Sequence, residues 1–433
     1  MEELKAGWRK VKLGDIIEIQ KGYAFKSKDF LNKGIKIIKV SNLENETINF
    51  LDCACISEEN FEKYKKYALN YKDIIITTVG SWPNNKNSVV GKVVRVPQVN
   101  EKLLLNQNAI RVTTLEKYLQ EYIYYALKDS KFKYYIEGVA QGSANQASIT
   151  LEDIKEYELK IPSLKVRNKI ASILSSLDEK IELNRKINQN LEEIAQTLFK
   201  RWFIDFEFPN EEGKPYKSSG GKMVESEVGK IPEGWRVGKL GEIVKIKNGY
   251  SYKGKELMQS ENAMLTIKNF NRDGSFKIDG YKEISLGEKV KESHYVEIGD
   301  ILVAHTDLTQ GAEIIGNPIM VFSKANYKKI IMSMDLVKVE AKYKNFIYFL
   351  LKDKRFKNHA LGYINGTTVL HLNKNCISEY KFVLPIENKL IEKLEKYLQK
   401  INLQICINQK EIEKLIELRD YLLPRLMSGE ISV

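Results

Sequence analysis

Two long segments of the chain carry apolar residues at intervals of three and four, the spacing that places them on one face of an α-helix. The first segment runs from Arg167 to Lys200, and the second follows Pro385 and continues to Pro424. At 1.5 Å per residue each would be about 50 Å long, more than one domain can bury, so we predict two coiled-coil helices. We expect Pro424 to end the second helix, because proline lacks the backbone N–H that an α-helix uses.

Amide side chains interrupt both predicted helix seams. Asn184 and Asn188 lie in the first, and Gln404 and Asn408 lie in the second. In one interpretation these amides are buried, pair with each other and fix the register of a coiled coil. In the other they face water, and the seam shifts to a neighbouring apolar stripe of Leu183, Ile187, Leu403 and Ile407. The helical phase cannot be fixed to one residue from sequence, so both interpretations stay open.

Shorter runs with β-strand composition precede each helical segment. DIIEIQKGY (15–23) and EIVKIKNGY (242–250) end in a glycine turn, whereas DIIITT (73–78) and DILVAH (300–305) have the apolar composition of buried strands. The stretch LEKYLQEYIYYALKDSKFKYYI, from Leu115, carries apolar residues at helical spacing and is predicted as an amphipathic helix. Each set of elements predicts a domain of mixed α and β structure.

The order of these motifs repeats along the chain. When Trp8 is aligned with Trp235, the strand-like segments match in register, and YIYYALKDSKFK from Tyr122 matches FIYFLLKDKRFK from Phe346. Self-similarity on this scale indicates duplication. The chain therefore consists of two half-copies, each a globular domain followed by a long helix.

The segment between the copies is rich in Gly, Ser, Pro and charged residues, which predicts a flexible surface linker. If the two helices pack antiparallel, an approximate two-fold axis relates the domains. The predicted fold class is α+β, with two mixed α/β domains in pseudo-two-fold symmetry, separated by two long antiparallel coiled-coil helices. The predicted boundaries are 1–162 (first domain), 163–205 (first helix), 206–234 (linker), 235–385 (second domain), and 386–433 (second helix and tail).

Charge and cysteine content narrow the possible functions. Lys and Arg outnumber Asp and Glu by 69 to 57, which gives a formal charge of +12 and favours a polyanionic partner. The four cysteines lack zinc-ligand spacing, so we predict free thiols in a reducing cytoplasm and no metal site. No apolar run approaches the roughly 20 residues that a membrane span needs, so we expect no membrane partner.

Polar loops after the predicted strands supply candidate DNA contacts. Asn and Gln can bind adenine through two hydrogen bonds, Lys can bind guanine, and aromatic rings can pack on a thymine methyl group. The same residues are also typical of ordinary turns. The candidates in the first copy are Lys21, Tyr23, Lys26, Lys28, Ser81, Trp82, Asn84, Asn85, Lys86, Asn87, Lys92, Gln107, Gln141, Ser143, Asn145 and Gln146. Those in the second copy are Asn248, Tyr250, Tyr252, Lys253, Lys255, His305, Thr306, Asp307, Gln310, Tyr363, Asn365, Thr367, Thr368 and His371. Because the loops of the two copies match in position and differ in chemistry, we predict an asymmetric site.

No catalytic constellation emerges from the sequence. The chain contains neither a G-x-x-x-x-G-K-[ST] phosphate loop nor a [DNS]-P-P-[YFW] methyltransferase motif. His305 beside Asp307 is the single His–acid pair to weigh, and nothing in the sequence gives it the geometry of a general base. We therefore predict a protein that is not an enzyme.

Several motifs in a fixed order resemble the specificity subunits of type I restriction-modification systems. They are WRKVKLGDI, DIIITTVGS, GSANQASITLEDIKEYELKIP, QTLFKRWFIDFEFP, GKMVESEVGKIPEGW and LLPRLMSGEI, and together they cover essentially the full length. The resemblance implies two target-recognition domains that read the halves of a bipartite site in double-stranded DNA. It also implies that the helices set the spacer and dock two methyltransferase subunits, with restriction subunits added. S-adenosylmethionine, ATP and Mg would act in those partners, with no cofactor in this chain.

One alternative function belongs to another class of binding protein. A basic chain with tandem domains could bind structured RNA or act as an interaction scaffold. Aromatic platforms on a sheet would favour RNA. The tyrosines in YIYYAL lie at helical spacing, which is typical of a core.

Overall fold

The structure is a computed structural model that describes residues 7–44, 47–50, 53–82, 90–143, 145–272, 274–308, 311–366, 369–373 and 375–433. The chain folds into two compact units, neither of which is one half of the sequence. Unit 1 comprises Met1–Lys180 with Leu415–Val433, and unit 2 comprises Ile181–Lys414. Each unit therefore contains one globular domain and part of both long helices.

The first copy contains thirteen strands and five α-helices among its described residues. The strands are β1 (Arg9–Lys12), β2 (Ile17–Lys21), β3 (Ile35–Ile38), β4 (Ala54–Ile56), β5 (Ala68–Leu69), β6 (Ile74–Thr77), β7 (Val79–Gly80), β8 (Val93–Arg95), β9 (Leu103–Leu105), β10 (Ala109–Thr114), β11 (Gln141–Ser143), β12 (Gln146–Ser148) and β13 (Glu158–Ile161). The helices are α1 (Phe61–Tyr64), α2 (Gln120–Lys128), α3 (Ser130–Val139), α4 (Leu151–Glu156) and α5 (Leu164–Phe203).

The second copy contains fourteen strands and four α-helices in the part of it that is described. The strands are β14 (Met223–Ser226), β15 (Gly229–Pro232), β16 (Trp235–Lys239), β17 (Val244–Asn248), β18 (Asn262–Leu265), β19 (Lys282–Glu283), β20 (Ile301–Ala304), β21 (Thr306–Asp307), β22 (Pro318–Met320), β23 (Lys329–Met332), β24 (Leu336–Ala341), β25 (Ile364–Asn365), β26 (Leu370–Leu372) and β27 (Lys381–Pro385). The helices are α6 (Lys344–Lys352), α7 (Lys354–Leu361), α8 (Cys376–Glu379) and α9 (Lys389–Ser428).

The two copies have corresponding sheets. The central sheet has the order β2-β10-β6-β8 in unit 1 and β17-β24-β20-β22 in unit 2. A two-stranded sheet joins the beginning and end of each domain, β1 with β13 and β16 with β27. A second sheet, β4-β3-β9-β5 or β19-β18-β23, contains one parallel pair in each copy. The third common sheet is small and has the order β11-β12-β7 or β25-β26-β21. The predicted mixed α and β fold of both copies is confirmed.

The apolar run of β6 is buried on both faces. Ile74 and Ile76 face the core formed with the helices, whereas Ile75 faces a second core beside β9, because successive strand residues point to opposite faces. The same alternation recurs in β20, where Ile301 and Leu302 belong to different cores. A fully apolar strand therefore follows from packing between two cores.

The predicted helix from Leu115 is divided in two. Asp129 has an extended backbone conformation and accepts a hydrogen bond from the backbone N–H of Lys131 at 2.8 Å, so it caps the start of α3. Asp353 does the same for α7 through Arg355. The tyrosines of α2 are buried in the core, as their spacing predicts.

The segment between the copies differs from the irregular linker expected from its composition. β14 pairs with β15, and the ring of Phe208 stacks on Tyr216 and Trp235 with centroid distances of 4.6 and 5.3 Å. The aromatic residues explain the difference, because their apolar surface is removed from water only if the surrounding polar chain folds over it.

The expectation that Pro424 ends the second helix is wrong. Helix α9 continues to Ser428 with Pro424 inside it. Leu423, Leu426 and Met427 are buried in the core of unit 1, and this packing holds the last turn although Pro424 donates no backbone hydrogen bond.

The two long helices pack against each other in opposite directions. In unit 2, Asn184 of α5 contacts Glu411 of α9, and Asn188 contacts Asn408. Residue numbers therefore increase along α5 as they decrease along α9. In unit 1, Asp178 pairs with Arg419 in the same sense. The predicted antiparallel helix pair is confirmed, and each of the 40-residue helices is about 60 Å long.

Candidate nucleic-acid interface

The polar stretches of unit 1 that the sequence nominates separately meet in the small sheet. β7 leads into Ser81 and Trp82 and pairs with β12, and β12 pairs with β11, which begins at Gln141. The indole N–H of Trp82 donates to the carbonyl oxygen of Ser143 at 2.7 Å. Four candidates here have exposed side chains, namely Gln141, Ser143, Asn145 and Gln146. This sheet presents hydrogen-bonding side chains to solvent from a fixed backbone.

The small sheet of unit 2 repeats the arrangement with other side chains. Thr306 pairs with His371, and His371 pairs with Asn365 on its other side. The side chains of His371 and Asn365 are exposed. Gly366 has φ +105°, and a Cβ there would lie 2.2 Å from the carbonyl oxygen of Val369, so the turn requires glycine.

In unit 1 the Lys-Gly-Tyr turn lies beside the small sheet. Residues 106–108 form a loop that contacts both of them. A Cβ on Gly22 would lie 1.8 Å from the carbonyl oxygen of Asn106, so glycine permits this close approach. The N–H of Gln107 donates to the carbonyl oxygen of Tyr23 at 2.9 Å. On the other side, the N–H of Thr78, next to β7, donates to the carbonyl oxygen of Asn108 at 2.8 Å.

Unit 2 has the same three-part arrangement. The N–H of Met334 donates to the carbonyl oxygen of Tyr250, and the N–H of His305 donates to that of Asp335, at 2.9 and 2.7 Å. We call the Gly-Tyr turn, this connecting loop and the small sheet together the candidate interface of each unit. Sequence reasoning missed Asn108, Met334 and Asp335. The repeat register gives a signal for them, since Met334 is as far from Trp235 as Gln107 is from Trp8.

Positive and polar side chains surround each Gly-Tyr turn. Those with exposed side chains are Lys21, Lys26, Lys28, Asn248, Lys253 and Lys255. Lys92 differs, because its ammonium donates to the carbonyl oxygen of Leu43 at 3.1 Å and so holds a neighbouring loop. The exposed set suits phosphate contacts, which need mobile positive groups and little geometric precision.

Aromatic candidates are held by packing. The ring of Tyr23 lies 5.0–5.1 Å from those of Phe25, Tyr64 and Tyr67. Tyr250 is buried and donates its hydroxyl to Glu256 at 2.7 Å, a bond that raises the pKa of this tyrosine.

The remaining aromatic candidates lie beside positive or aromatic groups. The ammonium of Lys282 lies 5.7 Å from the ring centroid of Tyr252. The half-buried ring of Tyr363 packs on His359 at 4.6 Å.

Two further candidates of unit 2 are buried and bind their own chain. The hydroxyl of Thr306 donates to the carboxylate of Asp335 at 3.0 Å. Asp307 is 1% exposed, and its Oδ2 accepts the backbone N–H groups of Ile314 and Ile315 at 2.8 and 3.2 Å. Asp307 therefore positions a backbone segment next to the small sheet, and Thr306 ties the small sheet to the side chain of Asp335 in the connecting loop.

Seven candidates lie outside the described residues. They are Asn84, Asn85, Lys86, Asn87, Gln310, Thr367 and Thr368.

The amides of the helix seam are paired, and Asn184 and Asn408 are buried, whereas Asn188 is half-buried and Gln404 is exposed. Asn184 donates to Glu411 at 2.9 Å, Asn408 donates to Asn188 at 2.8 Å, and Gln404 donates to Asn408 at 2.8 Å. The apolar stripe of the other interpretation faces outward, with exposed side chains at Leu183, Ile187, Leu403 and Ile407. The interpretation with buried amides is therefore correct for Asn184 and Asn408 and wrong for the exposed Gln404, and each helix carries an exposed apolar stripe.

Within the described parts of the chain, no group of three or more His, Cys, Asp or Glu residues is arranged to hold a metal ion. No described helix combines the length and apolar character needed to cross a membrane. The four cysteines are free thiols.

Comparison with known proteins identifies relatives along the whole chain. The profile of the family described as "Type I restriction modification DNA specificity domain" matches residues 5–193 and 232–417. The MjaIX type I restriction enzyme specificity subunit of Methanocaldococcus jannaschii is 32% identical over 338 residues, which cover 76% of this chain and 73% of the relative. The HindI specificity subunit of Haemophilus influenzae is 25% identical over 98% of this chain and 99% of its own. Among solved structures, the type I restriction-modification S subunit of M. genitalium has a similar fold, with a TM-score of 0.52, 16% identity and coverage of 98% of this chain and 97% of that one.

Proposed function

Because the chain belongs to the family of type I restriction-modification DNA specificity domains, we propose that each of its two units reads one half of an asymmetric, bipartite site in double-stranded DNA. The chain is a DNA-recognition subunit and not itself an enzyme. The observation that carries the proposal is the candidate interface. In each unit, two polar stretches far apart in sequence meet in one small sheet beside a Gly-Tyr turn. A subunit that reads DNA needs access to it, so we expect the protein in the cytoplasm.

The side chains of the two interfaces favour different half-sites. Unit 1 presents Gln141, Asn145 and Gln146, whose amides suit adenine. Unit 2 presents Asn365 and His371 at the corresponding sheet. The formal charge of +12 adds affinity that does not depend on sequence, through phosphate contacts.

The long helices support two further parts of the proposal. Continuous helices of about 60 Å set the spacer between the half-sites. The exposed stripes offer equivalent docking faces for two methyltransferase subunits, because Leu183 and Ile187 on α5 match Leu403 and Ile407 on α9 in the repeat register. Restriction subunits, S-adenosylmethionine, ATP and Mg belong to the partners in this proposal.

The decisive experiment compares N6-methyladenine maps of cells with and without the gene, and with residues 1–160 replaced by the matching domain of a relative. We expect one gapped motif to lose methylation on both strands without the gene. The domain exchange should alter one half of that motif. A domain exchange that alters both halves of the motif would contradict independent reading by the two units. A methylation map that is unchanged without the gene, together with no preference among DNA duplexes in vitro, would contradict the proposed function. RNA binding by the same complex would then support the alternative.

The docking surface has its own test. Leu183→Glu with Ile187→Glu should reduce the methyltransferase bound per specificity subunit from two to one, because two charges replace apolar contacts. The pair Leu403→Glu and Ile407→Glu should do the same, and all four should abolish binding. Gln189→Glu, which adds a charge at an exposed position on another face of α5, is the control. Native mass spectrometry measures the stoichiometry, and two bound subunits in the four-fold variant would exclude this surface.

A further inference from the structure

Helix α7 of unit 2 places one ammonium group inside the loop that joins β21 to β22. The Nζ of Lys357 donates to the carbonyl oxygens of Ala312, Glu313 and Ile315 at 2.9, 3.2 and 2.6 Å, and lies 2.9 Å from the Oδ1 of Asn317. Four oxygens from a six-residue stretch surround one cation. Such charge-assisted hydrogen bonds are roughly twice as strong as neutral ones.

A carboxylate holds the same loop from its other end. Asp307 lies in β21, where the loop begins, and its Oδ2 accepts the N–H groups of Ile314 and Ile315, where the loop returns. The beginning and end of the loop are thus tied together by a buried anion, while Lys357 gathers the carbonyl groups of the returning limb. Leu308, which follows Asp307 directly, is exposed. Asp307 and Lys357 therefore hold residues 312–317 in place beside β21.

The position of this loop connects it with the candidate interface. β21 pairs with β26 through Thr306 and His371, so the residue that anchors the loop stands next to the exposed part of the small sheet. A segment that is already held in place next to an exposed side chain such as His371 loses little conformational entropy when DNA binds. Without the two anchors that entropy would be lost at the moment of binding, and discrimination between bases would fall.

In the part of the first copy that the structure describes, the matching lysine makes no such contacts. Lys133 of α3 corresponds to Lys357 in the aligned helices, but its side chain is 67% exposed and lies 4.0 Å from Glu137 on the same helix. A lysine at this position is therefore not required by the shared scaffold. Its role in unit 2 arises from the loop it contacts.

We propose that Lys357, together with Asp307, is a positioning residue that fixes residues 312–317 beside the small sheet for base reading by the second unit. This inference rests on the proposed function and names a residue through which one half-site is discriminated. Lys357 acts through the loop backbone and contacts no base.

The protonation of Lys357 gives the proposal a second consequence. Burial lowers the pKa of this lysine to about 8, against the opposing effects of Asp307 and Glu313. These two carboxylates are the charged groups that face it, and Glu313 also pairs with Arg272 at 3.1 Å. As the pH rises above 8 the ammonium is lost, and a neutral amine holds the four oxygens less strongly.

The effect on global stability has the opposite sign. Between pH 8 and the ordinary value of 10.5 the unfolded chain binds more protons at this site than the folded chain, so the group makes stability rise with pH. Weaker reading of the second half-site at pH 9, without a lower unfolding midpoint, therefore separates positioning from general destabilisation.

The test uses the complex with its methyltransferase subunits and duplexes altered in one half-site at a time. For Lys357→Met we expect the preference for the correct base in the half-site of unit 2 to fall at least tenfold, with no change in the other half-site. Lys133→Met, at the matching exposed position, should change neither. The wild-type complex should lose preference in the same half-site between pH 7 and pH 9, which tests the proposal even if the variant folds poorly.

Three outcomes would overturn the inference. A Lys357→Met complex with wild-type preference in both half-sites contradicts it alone, and so does a wild-type preference that is constant from pH 7 to pH 9. A wild-type complex without preference in either half-site overturns the proposed function, and this inference with it.

Discussion

The two units attach their domains to the long helices with different chemistry. In unit 1, Asp178 of α5 accepts the hydroxyl of Tyr125 at 2.7 Å and pairs with Arg95 and Arg419 at 3.2 and 3.0 Å. Arg95 also pairs with Glu121 at 2.5 Å. We call Arg95, Tyr125, Asp178 and Arg419 the ionic junction. Burial raises the pKa of Tyr125, so its hydroxyl remains a donor.

The matching positions of unit 2 are apolar. Met320 is the counterpart of Arg95, because Met320 pairs with Ile301 in its sheet as Arg95 pairs with Ile74. In the aligned helices, Phe349 is the counterpart of Tyr125. In the repeat register of the long helices, Leu398 is the counterpart of Asp178, and Phe199 is the counterpart of Arg419. All four apolar side chains are buried in one core.

The comparison shows which properties of this junction the two copies share and which they do not. Both sets of residues lie between the sheet, α2 or α6, and the helix pair. The apolar set is buried in one core, whereas the ionic set is largely buried and internally paired. A buried ion network loses the hydration of its charges and regains the energy through close pairing, so it is sensitive to the loss of any one member. An apolar junction depends on volume and tolerates substitution of similar size. The scaffold therefore fixes shape and burial, and leaves the chemistry free to diverge.

The largest effect is expected from Asp178→Ala. It removes the acceptor shared by Tyr125, Arg95 and Arg419, whose polar groups are largely buried, and should lower the free energy of unfolding by about 3 to 5 kcal/mol. Leu398→Ala, the matched change in unit 2, creates a cavity and should cost about 2 to 5 kcal/mol. Urea unfolding followed by tryptophan fluorescence measures both. An Asp178→Ala cost below about 1 kcal/mol, the range of an exposed pair, would show that the ionic junction is not buried in solution.

Replacing all four residues of the ionic junction should change the free energy of unfolding far less than Asp178→Ala alone. The variant Arg95→Met, Tyr125→Phe, Asp178→Leu and Arg419→Phe gives unit 1 the side chains of unit 2. Replacing a whole buried ion network by apolar residues is often neutral or stabilising by about 1 to 4 kcal/mol. Glu121 retains Lys72 at 2.6 Å as its partner. A four-fold variant that is less stable than Asp178→Ala would mean that the two junctions differ in shape as well as in chemistry.

A smaller effect is expected at the helix seam. Asn408→Ala removes the donor to the half-buried Asn188 and the acceptor of the exposed Gln404, and should cost about 0.5 to 1.5 kcal/mol, the net contribution of a typical hydrogen bond. Ile407→Ala, at the adjacent exposed position, is the control and should change stability by less than about 0.5 kcal/mol. Equal costs in thermal unfolding would contradict the burial of the amides.

A similarly small effect concerns the turn before β6 and β20. Lys72 and Gly299 occupy the same place and both have positive φ, 71° and 87°. No atom lies within 4 Å of a Cβ on Gly299, so Gly299→Ala should cost only the backbone penalty of about 1 to 2 kcal/mol. Lys72→Gly removes that strain and also the ion pair with Glu121, so its net change should be smaller. Thermal unfolding midpoints compare the two, and a larger cost for Lys72→Gly would reverse this order.

Much of the fold could be predicted from sequence because duplication presents each pattern twice. The strands around Asp73 and Asp300, the long helices and the antiparallel pairing all follow from periodicity and repeat register. The break at Asp129 was missed because a cap inside an apolar pattern leaves the periodicity nearly intact. The passage of α9 through Pro424 depends on tertiary burial, which overrides a local helix breaker.

The candidate site was less predictable than the fold. Loop composition identified stretches that meet in space, because the loops follow corresponding strands. It could not separate exposed side chains such as Gln146 from Asp307, which is polar in sequence and buried in the structure. Nor could it find Met334, which has the wrong chemistry for a polar contact and is placed beside Tyr250 by a backbone hydrogen bond.

The composition of unit 1 from two distant chain segments has a consequence during synthesis. Its core includes Leu13, Tyr125 and Ile170 together with Leu423, Leu426 and Met427. On the ribosome, every residue of unit 2 is made before residues 415–433 emerge. The first domain therefore waits with an open apolar face while the second domain can complete its core. Domains usually fold in the order in which they leave the ribosome. Here the domain that is made first is the one that is finished last.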